Sequence, residues 1–481
     1  MLIQCKNKKK SHGKPMLAAL YVRKIAYALL GLGWATFTHA QVPPNTAPPV
    51  SPTTSEIVTP PTSTSESTID GLLQSSSALD TTQNNMAQVI EIACPNGTNA
   101  ADFQARCNGL IDAAQEGDLS QTYNALQVSS PEQMPSQGIS ATRTSFNVIA
   151  GRLAALRAGA RGFQVAGLGK NALPVNLASL SNISGGAAGD ESSGWDRLSG
   201  FANGNYNTGS VNSEFNQLGY NFDTGSVNFG LDYRLTNDLV LGTAFTYMRA
   251  ESSFDGNGGS LDSNAYTGAI YGNYYATENL YFDGIASVGG INYDSTRNIQ
   301  YSLSGVDSVN TQATAAPGGN QYAIGLGTGY NFAVQEWTLN PYAKVNYLKL
   351  DVDGFSESGG NGWGMQFQDQ TVESVTTTLG TQASYALSTS WGVLMPTIRG
   401  EWHHQYKDNS RNITTRFLGD TTSGLSFNAV TTAPDRNYYT VGTGISGTFA
   451  EGVSAFFNYD ALLGYRSVDS HLFTLGARME F

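Results

Sequence analysis

The chain has 481 residues, a net charge of −12, 13% charged and 40% hydrophobic residues, which excludes a wholly disordered chain and a helical membrane protein and leaves room for two or more domains. The acidic surplus argues against nucleic acid as a partner, because phosphates would be repelled, and no Lys/Arg-rich patch or nucleic-acid motif outside the leader offsets it. Gly (54) and Tyr (24) are abundant, which suits β-barrels, where Gly fits crowded strands and Tyr sits at the membrane–water boundary.

Residues 1–40 read as a signal peptide. Lys6, Lys8, Lys9, Lys10, Lys14, Arg23 and Lys24 form the positive region, and Ile25 to Phe37 is mostly apolar. Thr38-His39-Ala40 offers a small-residue cleavage site, and Met16 is an alternative start. The apolar run is too short for a span of about 20 residues. Nothing later holds 18 consecutive apolar residues, so a mature membrane form must be a closed barrel, since lipid cannot satisfy open backbone groups.

Residues 41–85 are rich in Pro, Ser and Thr and read as a disordered linker. Residues 86–138 are expected to form a small helical unit, with pieces at 101–114 and 119–128 and a helix start at Ser130-Pro131. Its apolar content is low for a robust core. With Cys5 in the leader, Cys94 and Cys107 remain as an even pair, and a disulfide between them is expected in an exported chain.

The strongest helical pattern spans 139–161. Phe146, Ile149, Leu153 and Leu156 recur at spacings of three and four and give one apolar stripe. Arg143, Arg152, Arg157 and Arg161 add positive charge, and Gly159 and Gly162 end the pattern. An ordinary surface helix has the same stripe; the position directly before the barrel favours a helix threaded through an acidic lumen. Residues 162–190 read as connection, so 139–190 form one pore-helix segment.

From residue 191 to 481 short alternating runs are separated by Gly, Asn, Asp and Ser. Val227, Phe229, Leu231, Tyr233 and Leu235 alternate with Asn228, Gly230, Asp232 and Arg234. Leu394, Ile398 and Trp402 oppose Arg399, Glu401 and His403. With a side-chain period of two, one face is apolar and the other collects the charges. Twelve strands are expected, starting near Trp195, Ser226, Leu239, Asn264, Asn279, Gln321, Trp337, Glu373, Trp391, Arg436, Val453 and Ser470. At about 24 residues per strand and connection, this suits a mainly β, antiparallel twelve-stranded transmembrane barrel with a lumenal α-helix and a small N-terminal helical region. Turns at 235–239 and 276–280 are short; loops at 294–319, 354–370 and 407–434 are long.

The end of the chain, Ser470 to Phe481, carries an apolar face to its last residue. It resembles the C-terminal signal of bacterial outer-membrane barrels, met here by Thr474, Gly476, Met479 and Phe481. Further motifs resemble the β-domain of classical autotransporters. They are GLDYRLTNDLVLGTAFTY (Gly230–Tyr247), PYAKVNYLKLDVDGFSESGG (Pro341–Gly360), and the set Pro396, Arg399, Trp402, His404, Phe417 and Gly419. The segment RLAALRAGARG looks like the linker of a short-passenger subgroup. The resemblance implies outer-membrane lipid, the barrel-assembly machinery and periplasmic chaperones as partners, and a monomer. It implies that the barrel anchors and helps export the N-terminal passenger. Two departures stand out: the passenger is short, without β-helix repeats, and the helix has a single Asn147 where some members use an Asn-Asn pair for self-cleavage.

No catalysis and no cofactor are expected. None of the five histidines lies in residues 41–402, so a Ser-His-Asp triad or histidine metal site does not fit there. Glu116-Gly117-Asp118-Leu119-Ser120 departs in order from the Gly-Asp-Ser-Leu block of autotransported esterases. His403 and His404 are adjacent on a strand and point to opposite faces, so they cannot readily share an ion. Asp232 and Glu401 are expected to hold the helix arginines. The alternative reading is a channel or structural barrel whose N-terminal region is a plug or a periplasmic segment.

Overall fold

The computed structural model describes residues 79–96, 99–116, 133–157, 197–214, 217–303, 307–449 and 453–480. The signal peptide, most of the linker, the helical piece at 119–128, Ser130-Pro131, the connection at 162–190 and Phe481 lie outside them. Among the described residues no helix is long and apolar enough to cross a membrane.

Twelve strands form the barrel: β1 (Leu198–Val211), β2 (Tyr220–Arg234), β3 (Leu239–Phe254), β4 (Gly259–Tyr275), β5 (Leu280–Leu303), β6 (Gly318–Tyr330), β7 (Trp337–Val352), β8 (Gln370–Tyr385), β9 (Gly392–Gln405), β10 (Asn437–Phe449), β11 (Val453–Leu463) and β12 (Val468–Glu480). Each pairs antiparallel with the next, and β12 returns to β1 through Ala202↔Ala477 and its neighbours. Closure leaves no open strand edge to the lipid, the condition for crossing a bilayer with strands. Ten of the twelve expected starts lie within three residues of the observed ones. β2 and β4 begin six and five residues earlier, because their polar upper halves continue the ladder above the apolar belt.

The outward face carries the large apolar side chains. Phe229, Ile270, Ile324, Ile398 and Leu475 are each more than half exposed, as residues that meet acyl chains are when only protein is present. Tyr274, Tyr330, Trp337, Trp391 and Phe449 ring the end with short turns; Tyr206, Tyr266, Tyr322, Tyr347 and Tyr439 ring the end with long loops. Two such girdles bracket a hydrocarbon layer. Many inward positions are polar and bonded to one another: Asn228 donates to Asn203 Oδ1 at 2.8 Å, and Gln321 to Thr267 Oγ1 at 2.7 Å.

The two short turns share one construction. Leu235 N–H reaches Leu239 O, and Thr236 Oγ1 accepts from the N–H of Asp238 and Leu239. Ala276, Thr277, Asn279 and Leu280 repeat it. At the other end β5 overruns the barrel. Its upper part pairs with Asp307–Ala315, which also takes Ser358–Gly359. Beside it, Phe355–Ser356, Met365–Phe367, Asn412–Phe417 and Phe427–Val430 form a separate four-stranded sheet. The long loops thus build a folded platform.

Three helices complete the described chain: α1 (Thr81–Ala93), α2 (Ala101–Glu116) and α3 (Met134–Arg157). α1 starts inside the segment read as linker. Asp80 and Gln83 form a reciprocal capping box, with Gln83 N–H donating to Asp80 Oδ1 at 2.7 Å and Asp80 N–H to Gln83 Oε1 at 2.9 Å. The Thr/Ser-rich composition around it hid that signal. α3 begins five residues before the expected 139, with Pro135 in its first turn where a missing N–H costs nothing. Residues 134–138 therefore belong to the lumenal helix and not to the N-terminal helical unit.

Candidate functional site

α3 runs inside the barrel with its N-terminus at the long-loop end. There Tyr293 OH donates to Met134 O at 2.8 Å, and Gln137 Nε2 donates to Ser252 Oγ and Leu261 O, both at 2.9 Å. Midway, Thr142 Oγ1 donates to Gln321 Oε1 at 2.8 Å. The apolar stripe Phe146, Ile149, Leu153 and Leu156 is buried, its lower part among Phe201, Val240, Ala269 and Tyr271 of the wall.

Near the short-turn end Arg152 closes the attachment. Its Nε and Nη2 donate to the two oxygens of Asp232 at 2.7 and 2.9 Å, with both side chains 2% exposed. Nη2 also donates to Ser199 Oγ at 2.6 Å, while Ser199 and Tyr271 hydroxyls donate to the same carboxylate. A guanidinium fork meets a carboxylate bidentately, and the neighbouring hydroxyls fill remaining lone pairs, which a buried pair requires.

Of the expected pairings, Asp232 holds Arg152. Glu401 binds wall residues instead, accepting from Tyr342 OH at 2.7 Å and lying 3.4 Å from Lys344. Arg143 lies over the Tyr438 ring at 5.6 Å. The side chain of Arg157 is outside the described residues. Ser199 and Tyr271 were missed because nothing local in the sequence marks a residue that completes a distant ion pair. His403 and His404 do face opposite ways: His403 bonds Thr378 and Thr440 within the wall, His404 bonds Asn437. Among the described residues no group of His, Cys, Asp or Glu could hold a metal ion.

α3 packs against β1 to β7. Its other face, with Arg143, Asn147 and Gly151, meets two adjoining cavities of about 670 and 230 Å³ that reach β8 to β12. The described lining carries more Arg and Lys than Asp and Glu, so the expectation of an acidic lumen is corrected. The acids of this chain sit largely on loops, turns and outward strand positions such as Asp223, Glu251 and Asp294.

Above the barrel, α1 and α2 lie on the loop platform. Met86, Ile90, Phe103 and Leu110 share one buried cluster with Ile299, Trp363, Phe367, Phe417 and Phe427. The two helices thus complete their core on the barrel's own loops. Phe103 meets Phe417 at 5.1 Å and Trp363 edge-on at 6.2 Å. Gly362, at φ +98°, lets the loop approach the start of α2, where a Cβ would lie 2.6 Å from Asp102 O. Below Trp363, Arg297 forks onto Glu357 at 3.0 and 2.6 Å and also reaches Trp363 O. In the loop that follows, burial acts to raise the Asp420 carboxyl, but hydrogen bonds from the Ser423 hydroxyl and the Ser423 and Thr422 N–H groups outweigh it and hold it below the usual carboxylate range.

Cys94 and Cys107 form a disulfide joining the end of α1 to α2, thirteen residues apart. Replacing both with Ser should cost the helical pair about 3 kcal/mol by the loop-entropy estimate. The check is amide exchange in α1 and α2, faster in the double variant or in dithiothreitol, with barrel amides unchanged.

At the chain end, Thr474 lines the lumen and Met479 pairs through its backbone with Gly200 and Val453. Gly476 makes room for its neighbours, since a Cβ there would meet Phe456 Cζ at 2.4 Å and Asn203 Cβ at 2.6 Å. Phe481 and the Met479 side chain are not among the described groups.

The family described as Autotransporter beta-domain matches residues 200–460. The chain is 25% identical over 202 residues to Esterase EstA of Pseudomonas aeruginosa, covering 41% of this chain and 29% of that one. It is 26% identical over 223 residues to the Extracellular serine protease of Serratia marcescens, covering 45% and 19%. It thus spans less than a third of the length of these curated relatives. Among solved structures it is similar to the translocator domain of autotransporter NalP from Neisseria meningitidis, at 17% identity and a TM-score of 0.46, covering 63% of this chain and 93% of that domain. A closed twelve-strand barrel with a greasy outer belt and a family match over more than half its length leads to one conclusion: this chain belongs to the autotransporter β-domain family and is a barrel of the bacterial outer membrane.

Proposed function

We propose that the barrel carries α1 and α2 to the cell exterior and keeps them there as a non-enzymatic cap docked on its own loops. The observation that carries this reading is the direction of α3. Its N-terminus opens at the end with the long loops, the extracellular end in barrels of this kind. α1 and α2, which precede α3 in the chain, lie at that same end. The apolar cluster shared by α1, α2 and the platform supports retention at the surface. The esterase and protease names belong to relatives much longer than this chain, and α1 and α2 contain no histidine.

Ile92, half exposed on α1, gives the test. Ile92→Cys should react on intact cells with a polyethylene-glycol maleimide too large for porins. Labelling only after the outer membrane is opened would instead support a periplasmic N-terminal segment. For the non-enzymatic part, purified protein should hydrolyse p-nitrophenyl butyrate and casein no faster than a boiled control; turnover above that control defeats it.

A further inference from the structure

The upper part of β5 and the strand Asp307–Ala315 form a hairpin with two unlike faces. Ile299, Tyr301, Leu303 and Val309 turn inward to the cluster that holds α2. On the outer face every even-numbered residue from Thr296 to Ser302 and from Ser308 to Thr314 is Ser, Thr, Asn or Gln. Gln300 Nε2 donates to Asn310 Oδ1 at 3.0 Å, and Gln312 Nε2 donates to Asn298 Oδ1 at 2.9 Å. Asn257 Nδ2, from the turn before β4, donates to Gln300 Oε1 at 2.9 Å. These bonds hold the amides in one uncharged lattice, and Ser302, Ser308 and Asn310 are exposed.

The hairpin also has an open edge. Ser358–Gly359 covers Asp307–Ala315 at Ala313 and Thr314, and Gly360 N–H donates to Gln312 O. In an antiparallel strand the N–H and C=O of one residue point to the same side, and successive residues alternate. Ser308 and Asn310 therefore aim their main-chain groups the way Gln312 does, away from β5. Among the described residues no main-chain hydrogen bond takes those groups. Natural sheets guard such an edge with Lys, Pro or a bulge. Here Ser308 to Gln312 reads S-V-N-T-Q, without a guard and with β-branched residues at Val309 and Thr311.

We propose that this edge pairs with the same edge of a second copy, antiparallel about a two-fold axis at Val309. The free window sets the register. Ser308 faces the second copy's Asn310 and Asn310 faces the second copy's Ser308, each pair exchanging two main-chain hydrogen bonds. Gln312 stays outside the new ladder because Gly360 already holds its carbonyl. Asp307 falls opposite Thr311, so no like charges stand directly across from each other. A chain of net charge −12 meets itself best through an uncharged surface, whereas outward strand positions such as Glu251 and Asp294 would repel their mates. Strands paired in opposite senses leave their barrels pointing at one another, which suits copies on facing cell surfaces rather than neighbours in one membrane. The contact is short, so it is weak alone and gains from many copies on each surface. That cellular setting rests on the long-loop end being outside; the pairing itself does not.

The test is disulfide capture in detergent, where membrane orientation plays no part. Ser308→Cys and Asn310→Cys are made separately in full-length protein carrying Cys5→Ser, with Cys94 and Cys107 joined as in the parent. Residues opposite each other in a hydrogen-bonded pair have Cα atoms about 5.5 Å apart, within disulfide reach. In this register Ser308 lies about 8 Å from its own symmetry mate, as does Asn310, which is too far. After mild oxidation with copper phenanthroline, the mixture of the two variants should give at least about fivefold more linked dimer than either variant alone. Heat-dependent migration on gels confirms that each variant has folded. No dimer from the mixture would mean that the edge takes another strand or none, and would overturn the proposal. As much dimer from one variant as from the mixture would mean random collision or a different register, and would overturn it equally. Labelling of Ile92→Cys on intact cells reports on orientation separately, so the two readings can fail independently.

Discussion

Arg152→Met is expected to destabilise the helix-filled barrel by about 3 kcal/mol, and Asp232→Leu by about 5 kcal/mol, the range for breaking a buried ion pair on one side. The ordering follows from who is left. Without Arg152, the Asp232 carboxylate still accepts from Ser199 at 2.6 Å and Tyr271 at 3.1 Å. Without Asp232, a guanidinium buried beside Phe201 loses both oxygens of its fork. The double variant should be better than the worse single one, since a matched apolar pair strands no charge. The measurement is the temperature at which the protein shifts from compact to unfolded migration in detergent, with Arg143→Gln as a lumenal control that changes no buried pair. Single variants that migrate like the parent at every temperature would mean that the apolar stripe and the hydrogen bonds of Met134, Gln137 and Thr142 hold the helix without the ion pair.

How much of this was legible in the sequence depends on distance along the chain. The strand period exposes which face meets lipid, because an alternation such as Val227 to Leu235 needs no partner to be recognised. Helix α3 was legible for the same reason: Phe146, Ile149, Leu153 and Leu156 mark one face by spacing alone. The Arg152–Asp232 pair was half legible, since both residues were marked as lumenal but their match rests on a separation of eighty residues. Glu401 was given to the helix, yet Tyr342 and Lys344 on β7, across β8, reach it first.

The loop platform was not legible. Its residues, from Phe355 to Phe367 and from Asn412 to Val430, fall between barrel strands and read as long loops rich in Gly, Ser and Thr. Their aromatic side chains make sense only once α1 and α2 arrive from the other end of the chain. The apparent weakness of the N-terminal helices and the apparent waste of apolar residues in the loops are two halves of one core. Neither half announces the other, because burial is a property of the pair and local pattern reports only on one member.

Trp363→Ala, the change at the centre of that core, should release the cap by about 3–5 kcal/mol while leaving the barrel intact. The side chain is fully buried between Phe103 and Phe417, with rings at 6.2 and 5.5 Å. Its indole N–H donates to Tyr301 OH at 2.9 Å, so truncation opens a large cavity and removes a buried donor together. Arg297 and Glu357 are not touched by the change, and the Trp363 carbonyl remains for Arg297 to reach, so the platform keeps its polar frame. Protease added to intact cells should then cut within 79–116 in the variant far faster than in the parent. The barrel's melting in detergent should stay where it was, since Trp363 stands on a loop between β7 and β8 and outside the ladder. An unchanged cleavage rate would mean that the cap is held elsewhere. Loss of the barrel together with the cap would mean that helices, platform and strands unfold as one body, and the picture of a separable docked cap would have to be given up.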